Sequence, residues 1–216
     1  MTPYYSDDLV TIYHGDCRDA LPMMFDQPES WVVVTDPPYG IAYVHGRGRY
    51  WPVGGTPIIG DAEPFVPQFL LAPGVPTVLW GANHYASRLP DSPSWLVWDK
   101  RTPGFTNHQA DCELAWTNLG GPVRIFRKPW SGGGTLAREN GTAKRAIHPA
   151  QKPADLMRWC VSLAPNGVIL DPFMGSGTTL VAAKSLGRKS IGIEIEERYC
   201  EIAATRCSQE VLGLGA

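Results

Sequence analysis

The chain has 216 residues, of which 44% are hydrophobic and 19% charged, a composition that suits one folded domain and excludes a disordered tail. The formal net charge of −2 excludes a uniformly basic protein, so any surface for nucleic acid must be local. No apolar run approaches the ~20 residues that span a bilayer, and the first residues lack the basic and apolar segments of a secretory signal. We therefore expect a cytoplasmic protein without a membrane segment.

Apolar runs bounded by turn residues recur along the chain, and several alternate with helical patterns, as in parallel α/β folds. Strands are predicted at residues 9–14, 31–35, 77–80, 95–98, 112–116, 123–126, 168–170 and 190–193. Helices are predicted at residues 153–163, 178–186 and 196–211. Residues 44–60 and 131–146 contain several glycines and are predicted as long loops, which are often lids or binding segments.

The five cysteines are scattered and form no C-x-x-C pair, which argues against both a zinc site and a disulfide framework. We predict buried thiols at these positions and no metal.

An acidic tetrapeptide, Asp36-Pro37-Pro38-Tyr39, directly follows the apolar strand at residues 31–35. Open α/β sheets bind ligands at the carboxyl ends of their strands, where this tetrapeptide lies. The prolines have no N–H and a fixed φ, so the turn is stiff and presents only acceptors. Asp36 and a neighbouring carbonyl can each accept one N–H from an exocyclic amine, and Tyr39 can stack on the base. The alternative is a simple turn after a strand.

A glycine-rich turn, Asp171-Pro172-Phe173-Met174-Gly175-Ser176-Gly177-Thr178-Thr179, connects a predicted strand to a predicted helix. Glycines let the backbone approach a ligand, and the N–H groups at a helix N-terminus favour an anion such as a carboxylate. Glu194 ends the next strand, at about the spacing expected of an acid that binds ribose hydroxyls. Leu180 stands where a dinucleotide fingerprint has Gly or Ala, and the ending of a phosphate loop is missing, which disfavours NAD and ATP.

Taken together, the two motifs closely resemble those of the DNA amino-methyltransferases, which modify N6 of adenine or N4 of cytosine. Their order, with the tetrapeptide first and the glycine-rich turn near the end, is similar to the permuted beta group of that family. The resemblance implies a Rossmann-like α/β methyltransferase fold with a mostly parallel sheet and helices on both faces, in one domain over residues 1–216. It also implies S-adenosylmethionine as the cofactor and double-stranded DNA as the substrate.

The resemblance also implies roles for individual residues. The expected catalytic residues are Asp36, Pro37, Pro38 and Tyr39. The expected cofactor-binding residues are Asp16, Cys17, Asp36, Lys152, Asp171, Pro172, Phe173, Gly175, Ser176, Gly177, Thr178 and Glu194. Asp16 is the expected acceptor for the cofactor's adenine, and Lys152 is the expected contact at its methionine end, with an ordinary solvated lysine as the alternative. The Trp residues of segments 80–85 and 95–100 are expected in the core rather than against a base.

A short stretch at about residues 117–147 takes the place of that family's target-recognition region. Six basic residues and one acid, Glu139, leave it with a charge of +5, which indicates phosphate binding, although a solvated basic face would have the same composition. These basic residues are Arg124, Arg127, Lys128, Arg138, Lys144 and Arg145. Arg47 and Arg49 could add phosphate contacts or form a lid over a flipped base. Because this region is short, we expect it to recognise a short DNA sequence, to recognise its site loosely, or to need a second subunit, as in a homodimer.

The predicted function is site-specific methylation of adenine N6, with the target base flipped out of the duplex and stacked on Tyr39. The preference for adenine follows from the Asp before Pro-Pro-Tyr, through the resemblance alone. Transfer to N4 of cytosine is the nearest alternative, because the two amines have similar geometry. Methylation of RNA and a DNA-binding module without turnover are further alternatives, and a restriction-enzyme partner is left open.

Overall fold

The structure is a computed structural model and describes residues 2–26, 30–42, 58–101, 110–129, 137–139, 142–144 and 151–209. The chain divides into two units by its internal contacts. The first unit contains Met1–Asp36, Phe69–Val78 and Lys152–Ala216, and the second contains Pro37–Gln68 and Leu79–Gln151. A single methyltransferase domain over residues 1–216 stays a prediction.

The elements follow in chain order. The strands are β1 (Tyr5–Ser6), β2 (Val10–His14), β3 (Trp31–Thr35), β4 (Thr77–Trp80), β5 (Trp95–Asp99), β6 (Cys112–Thr117), β7 (Arg124–Arg127), β8 (Ala137–Glu139), β9 (Thr142–Lys144), β10 (Val168–Asp171) and β11 (Ser190–Glu194). The helices are α1 (Cys17–Phe25), α2 (Ala154–Leu163), α3 (Thr178–Ser185) and α4 (Glu197–Ser208). Within the described ranges, no helix is both long and apolar enough to cross a membrane.

The first unit is built on parallel strands in the order β1-β2-β11-β10-β3, with only β1 antiparallel to its neighbour. Every residue of β3 is buried, as expected of a strand covered on both faces. Because β2, β11, β10 and β3 run in the same direction, their carboxyl ends meet at one edge of the sheet. This edge therefore collects the polar residues that follow each strand.

Arg188 fastens the end of α2 to the turn before β10. Its guanidinium donates to the carbonyl oxygens of Val161, Ala164, Pro165 and Gly167, at 2.5 to 3.2 Å. Burial lowers the pKa of Arg188. The planar fork of Arg suits such a set of acceptors, which a Lys ammonium could not reach together.

The second unit pairs β5 antiparallel with β6 and parallel with β7. Trp80 and Trp98 are buried, which confirms the prediction that they belong to the core, whereas Trp95 is half-buried. Trp116 is buried as well. The indole N–H of Trp98 donates to the carbonyl oxygen of Lys128 at 3.0 Å. This bond satisfies the polar end of a buried ring.

The eight predicted strands and three predicted helices are all present, with small shifts at their ends. The loop prediction for residues 131–146 is wrong over β8 and β9, which pair as an antiparallel hairpin. The connection between them is Asn140-Gly141, a dipeptide typical of two-residue hairpin turns. Of the loop predicted at 44–60, residues 44–57 lie outside the described residues.

The prediction of buried thiols is correct for Cys17, Cys160, Cys200 and Cys207 and wrong for Cys112. Cys112 is the first residue of β6, whose first three residues are exposed or half-buried. The short β1 and helix α1 were not predicted.

Candidate active site

Four acids follow consecutive strand ends along one edge of the first unit's sheet. Asp16 comes shortly after β2, Glu194 ends β11, Asp171 ends β10 and Asp36 comes directly after β3. The register aligns Glu194 with His14 and Leu170 with Val33, so the strand ends lie level with each other. Residues that the sequence predicted to bind a cofactor are thereby brought to one edge of one sheet.

Asp171 is the most buried of these acids, with 3% of its surface exposed. Its Oδ1 accepts the Thr35 hydroxyl at 2.6 Å and the backbone N–H of Phe173 at 3.2 Å. Burial raises the pKa of Asp171 to about 6. The side chain thus ties the end of β3 to the first residues of the glycine-rich turn.

The glycine-rich turn leads directly into α3. Gly175 has a φ of 49° and Gly177 a φ of 78°, in the left-handed region that glycine adopts without strain. Gly177 is the N-cap of α3 and, as a glycine, has no side chain that could accept from the first turn of the helix. Backbone N–H groups of the first turn of α3 can therefore serve an anionic ligand.

Arg206 supports the same turn from helix α4. Its Nη1 donates to the Ser176 carbonyl oxygen at 2.6 Å, to the Ser176 hydroxyl at 3.0 Å and to the Thr178 hydroxyl at 3.2 Å. Sequence reasoning missed this residue, because no motif connects Arg206 to a turn 30 positions earlier.

Glu194 braces the glycine-rich turn through its carboxylate. Oε2 accepts the backbone N–H of Gly175 at 3.0 Å, and Oε1 accepts that of Glu196 at 2.8 Å. Burial raises the pKa of Glu194, and these bonds act in the opposite direction. Each carboxylate oxygen has two lone pairs, so Glu194 can hold the turn and still accept hydroxyl groups of a ligand.

Asp16 is the N-cap of α1 and accepts the backbone N–H of Arg18 at 2.9 Å. The Arg18 guanidinium also binds this carboxylate, and its hydrogen bonds lower the pKa of Asp16. Cys17 is buried, and burial raises the pKa of its thiol to about 12, so the thiol is neutral. At this strand end the neighbouring Asp16 carboxylate is therefore the group that can accept hydrogen bonds from a ligand.

Lys152 and Asp36 form a buried ion pair in the first unit. Nζ of Lys152 lies 2.6 Å from Oδ2 of Asp36, with 7% and 16% of the two side chains exposed. The alternative of an ordinary solvated lysine is therefore wrong, because a buried ammonium needs a charged partner. Lys152 instead holds the first residue of the predicted catalytic tetrapeptide.

Tyr39, in the second unit, stacks on His84. The ring centroids are 5.0 Å apart and the planes differ by 14°. The backbone after Tyr39 is also held, since the N–H of Gly40 donates to Oδ1 of buried Asp61 at 2.8 Å. His84 and Asp61 were missed from the sequence, because neither lies in a motif with a known spacing to the tetrapeptide.

The predicted DNA-binding residues are described only in part. Arg124 and Arg127 lie exposed on β7, and Lys128 follows half-buried. Arg138 and Lys144 lie on the β8–β9 hairpin, and their side chains are outside the described part of the structure. Arg47, Arg49 and Arg145 are outside the described residues.

The residues along the first unit's edge fit a charged, nucleoside-like ligand. Carboxylates accept hydroxyl, amino and ammonium groups, and the N-terminus of α3 suits a carboxylate. Phe173 adds an aromatic wall, with its ring packed edge-on against Phe69 at 6.3 Å. Within the described ranges, no cluster of His, Cys, Asp and Glu has the arrangement of a metal site.

Comparisons with known proteins point to one enzyme class. The family model for N6 and N4 DNA methylases matches residues 90–205. The type II methyltransferase M.ScaI of Streptomyces caespitosus is 31% identical over 265 aligned residues, which cover 98% of this chain and 86% of M.ScaI. The crystal structure of the M1.HpyAVI-SAM complex has a TM-score of 0.56 at 25% identity, over 93% of this chain and 100% of that one. The PvuII DNA methyltransferase (cytosine-N4-specific) has a TM-score of 0.62 over 97% of this chain and 90% of that one, and at 17% identity this likeness concerns the fold alone.

Asp171 should make the stability of the protein depend on pH. Its pKa is about 6 in the folded state against 3.8 ordinarily, so the unfolded state ionises first as pH rises. The stabilisation that the neutral carboxyl provides is fully present below about pH 4 and lost by about pH 6, a change of about 3 kcal/mol. Asp171→Asn stays neutral, so its free energy of unfolding relative to the unsubstituted protein should rise across this window. Urea unfolding of both proteins between pH 4 and 7.5 measures the difference, and a difference that stays constant with pH would contradict the assignment.

Proposed function

Since the chain belongs to the family of N6/N4 DNA methylases, we propose that it methylates the exocyclic N6 of adenine at a specific site in double-stranded DNA. Family membership makes it a type II DNA methyltransferase that uses S-adenosylmethionine. The resemblance predicted from the two motifs, and the permuted α/β methyltransferase fold that it implied, are thereby confirmed. The N6 product and the roles of individual residues are the proposal.

One observation carries the proposal: Asp36 and the glycine-rich turn follow neighbouring strand ends. β3 and β10 pair in parallel with Leu170 aligned to Val33, so Asp36 and Asp171 emerge from adjacent strands at the same edge. An acceptor for an amine thus lies beside the turn proposed to hold the methyl donor. Methyl transfer to nitrogen needs such a juxtaposition, because most of the catalytic effect comes from positioning.

The cofactor is held, in this proposal, by the residues of the first unit's edge. Glu194 accepts the ribose hydroxyls, Asp16 accepts the adenine amine, and the first turn of α3 receives the carboxylate of the methionine end. Asp171, Pro172 and Phe173 line the approach, with Cys17, Ser176 and Thr178 beside it. When bound, the cofactor supplies an electrophilic methyl group on a positively charged sulfur.

Asp36 orients the target amine and is itself oriented by Lys152. The ammonium at 2.6 Å fixes one carboxylate oxygen, which limits rotation of the carboxylate. Asp36 and the Pro37 carbonyl each accept one N–H, so the nitrogen lone pair is directed toward the methyl donor. The proton released after transfer goes to Asp36 or to water. Pro38 keeps the turn stiff, and Tyr39 stacks on the flipped base.

DNA binding is assigned to the basic side chains of region 117–147 together with Arg47 and Arg49. Arg124 and Arg127 on β7 are exposed, and their positive charges can contact DNA phosphates. Since the region is short, we further propose that a second copy of the chain contributes to recognition.

Glu194→Ala should weaken binding of S-adenosylmethionine and of its demethylated product. Loss of a charged acceptor for a ribose hydroxyl costs about 1.5–3 kcal/mol, or roughly a 10- to 150-fold rise in Kd. Glu194→Gln is the matched control, since its amide oxygen can still accept the Gly175 N–H and one ligand hydroxyl. The loss of cofactor affinity should therefore be smaller in Glu194→Gln than in Glu194→Ala. Calorimetric titration of each protein with both ligands measures the effect, and an unchanged Kd in Glu194→Ala would remove Glu194 from the cofactor site.

Asp36→Asn should reduce methyl transfer by about 10²–10³-fold while cofactor affinity is retained. Asn keeps the shape of Asp36, but when its amide oxygen accepts from Lys152, its NH2 group donates where the second carboxylate oxygen accepted. Both Asp36→Asn and Asp36→Ala remove the carboxylate that pairs with the buried Lys152 ammonium, which can cost about 3–5 kcal/mol of stability. Asp36→Asn is the better test, because its amide oxygen can still accept a hydrogen bond from Lys152.

The assay is transfer of labelled methyl groups to duplex DNA, with nucleoside analysis of the product. N6-methyladenine is the expected product, and N4-methylcytosine as the only product would contradict the proposed specificity. Near-normal turnover of Asp36→Asn would instead contradict the proposed role of Asp36.

Charge removal on β7 should make DNA binding less sensitive to salt. Arg124→Ala and Arg127→Ala should each weaken binding and lower the slope of log K against log salt by about one, for each phosphate that is no longer neutralised. Lys189→Ala, at an exposed position of the first unit, is the control and should leave the slope unchanged. Fluorescence anisotropy with a labelled duplex from 50 to 200 mM salt gives the slopes; equal slopes for all variants would place the DNA surface elsewhere.

A further inference from the structure

We propose that His84 is a positioning residue for Tyr39, which holds the tyrosine ring in the orientation that receives the flipped base. The inference rests on the proposed function, in which Tyr39 stacks on the target base. His84 and Tyr39 lie in the same unit, with nearly parallel rings whose centroids are 5.0 Å apart. The side chain of His84 is otherwise exposed, so its packing against Tyr39 is not a by-product of burial in a core.

The chain places His84 by a short turn that is anchored on both sides. Gly81 follows β4 with a φ of 70°, and the backbone N–H of His84 donates to the Gly81 carbonyl at 3.0 Å. The next residue, Tyr85, is buried, and its hydroxyl donates to the Trp80 carbonyl at 2.5 Å. The Tyr85 ring also packs edge-on against Phe65 at 5.0 Å. An exposed imidazole is thus carried by a backbone that has little freedom to move.

Gly81 provides the space that the Tyr39 ring occupies. A Cβ at this position would lie 1.9 Å from Cε1 of Tyr39 and 2.3 Å from two further ring atoms. Tyr39 is therefore packed against the backbone of the same turn that carries His84.

The backbone beside Tyr39 is held independently of the ring. A Cβ on Gly40 would lie 2.5 Å from the Glu63 carbonyl oxygen and 2.7 Å from the backbone nitrogen of Phe65, so the two segments touch closely. Asp61 adds its hydrogen bond to the Gly40 N–H. With the backbone fixed, the remaining freedom of Tyr39 is rotation of its side chain, and His84 and Gly81 restrict that rotation.

A restricted ring captures a flipped base better than a rotating one, because less conformational entropy is lost on stacking. Loss of the His84 ring should therefore weaken capture of the base and leave cofactor binding unchanged. His84→Ala is expected to raise the KM for DNA by about 3- to 10-fold, in the range of one aromatic pair. His84→Phe keeps a flat ring and should restore KM to near the unsubstituted value.

The experiment compares the unsubstituted protein, His84→Ala and His84→Phe in three measurements. These are the KM and kcat for DNA methylation, calorimetric affinity for S-adenosylmethionine, and base flipping. Flipping is followed by fluorescence of 2-aminopurine in place of the target adenine, within a duplex whose methylation site is first mapped with the unsubstituted protein. Should the mapped product be N4-methylcytosine, pyrrolocytosine replaces the target cytosine in the same comparison.

We expect His84→Ala to show a reduced fluorescence gain and a raised KM. Both values should return to near those of the unsubstituted protein in His84→Phe. An unchanged KM and fluorescence gain in His84→Ala would overturn the inference while leaving the proposed function intact. So would a His84→Phe protein as impaired as His84→Ala, since a stacking role requires only the ring. An unsubstituted protein that methylates no DNA would overturn the proposed function, and the inference with it.

Gly81→Ala offers a second variant that acts on Tyr39 without removing His84. It should also raise KM and lower the fluorescence gain, because the added methyl group displaces the ring. Gly74→Ala is the matched control, with a φ of 77° and no atom within 4 Å of the added Cβ, so it introduces the same left-handed strain without the collision. Equal KM values and equal fluorescence gains in these two variants would mean that the orientation of the Tyr39 ring does not depend on this turn.

Discussion

The pairing of β10 with β3 on one side and β11 on the other is the constraint on which the first unit depends. β10 ends in the buried Asp171, and its neighbours end in or just before Asp36 and Glu194. A slip of one residue in either pairing would turn buried side chains of these strands to the opposite face of the sheet. The acids would then leave the common edge, and the glycine-rich turn would lose the Thr35–Asp171 and Gly175–Glu194 bonds that hold it. The register of these strands therefore determines whether the acids lie together at one edge of the sheet.

The ion pair between Lys152 and Asp36 connects positions 116 residues apart at that edge. Two charges removed from water are costly, and such a pair adds little stability compared with apolar residues of the same size. Its value lies in orientation: an ammonium at hydrogen-bond distance gives the carboxylate one preferred rotation. Tyr39 is held in a similar way in the second unit, where its ring packs against His84 and Gly81. Both side chains of the tetrapeptide that are proposed to meet the substrate are thus held by residues outside it.

Local patterns predicted most of the regular structure, because strands and helices depend on nearby residues. The apolar runs at residues 31–35 and 77–80 have the same bounds in the structure, since turn residues flank both. Helix α1 was missed because Pro22 interrupts its pattern, although Asp16 is a good N-cap. The hairpin of β8 and β9 was missed although Asn140-Gly141 is a strong turn signal. For the site, the two motifs, the spacing to Glu194 and the resemblance at Asp16 located the acids and the glycines. The partners Arg206, His84 and Asp61 come from distant segments. Only the folded chain brings such residues together, so spacing in the sequence carries no sign of them.

The strand order also sets the sequence of events during synthesis. β2 and β3 are synthesised before β10 and β11, which lie between them in the sheet. At 5–20 residues per second, roughly 8–30 s pass between the synthesis of β3 and that of β11. During that time the edge of β3 that pairs with β10 has no partner strand, and the core around Val10 and Ile12 lacks the α4 residues that complete it. A nascent chain of this topology therefore gains the complete edge that joins Asp36 to the glycine-rich turn only after β10 and β11 have been synthesised.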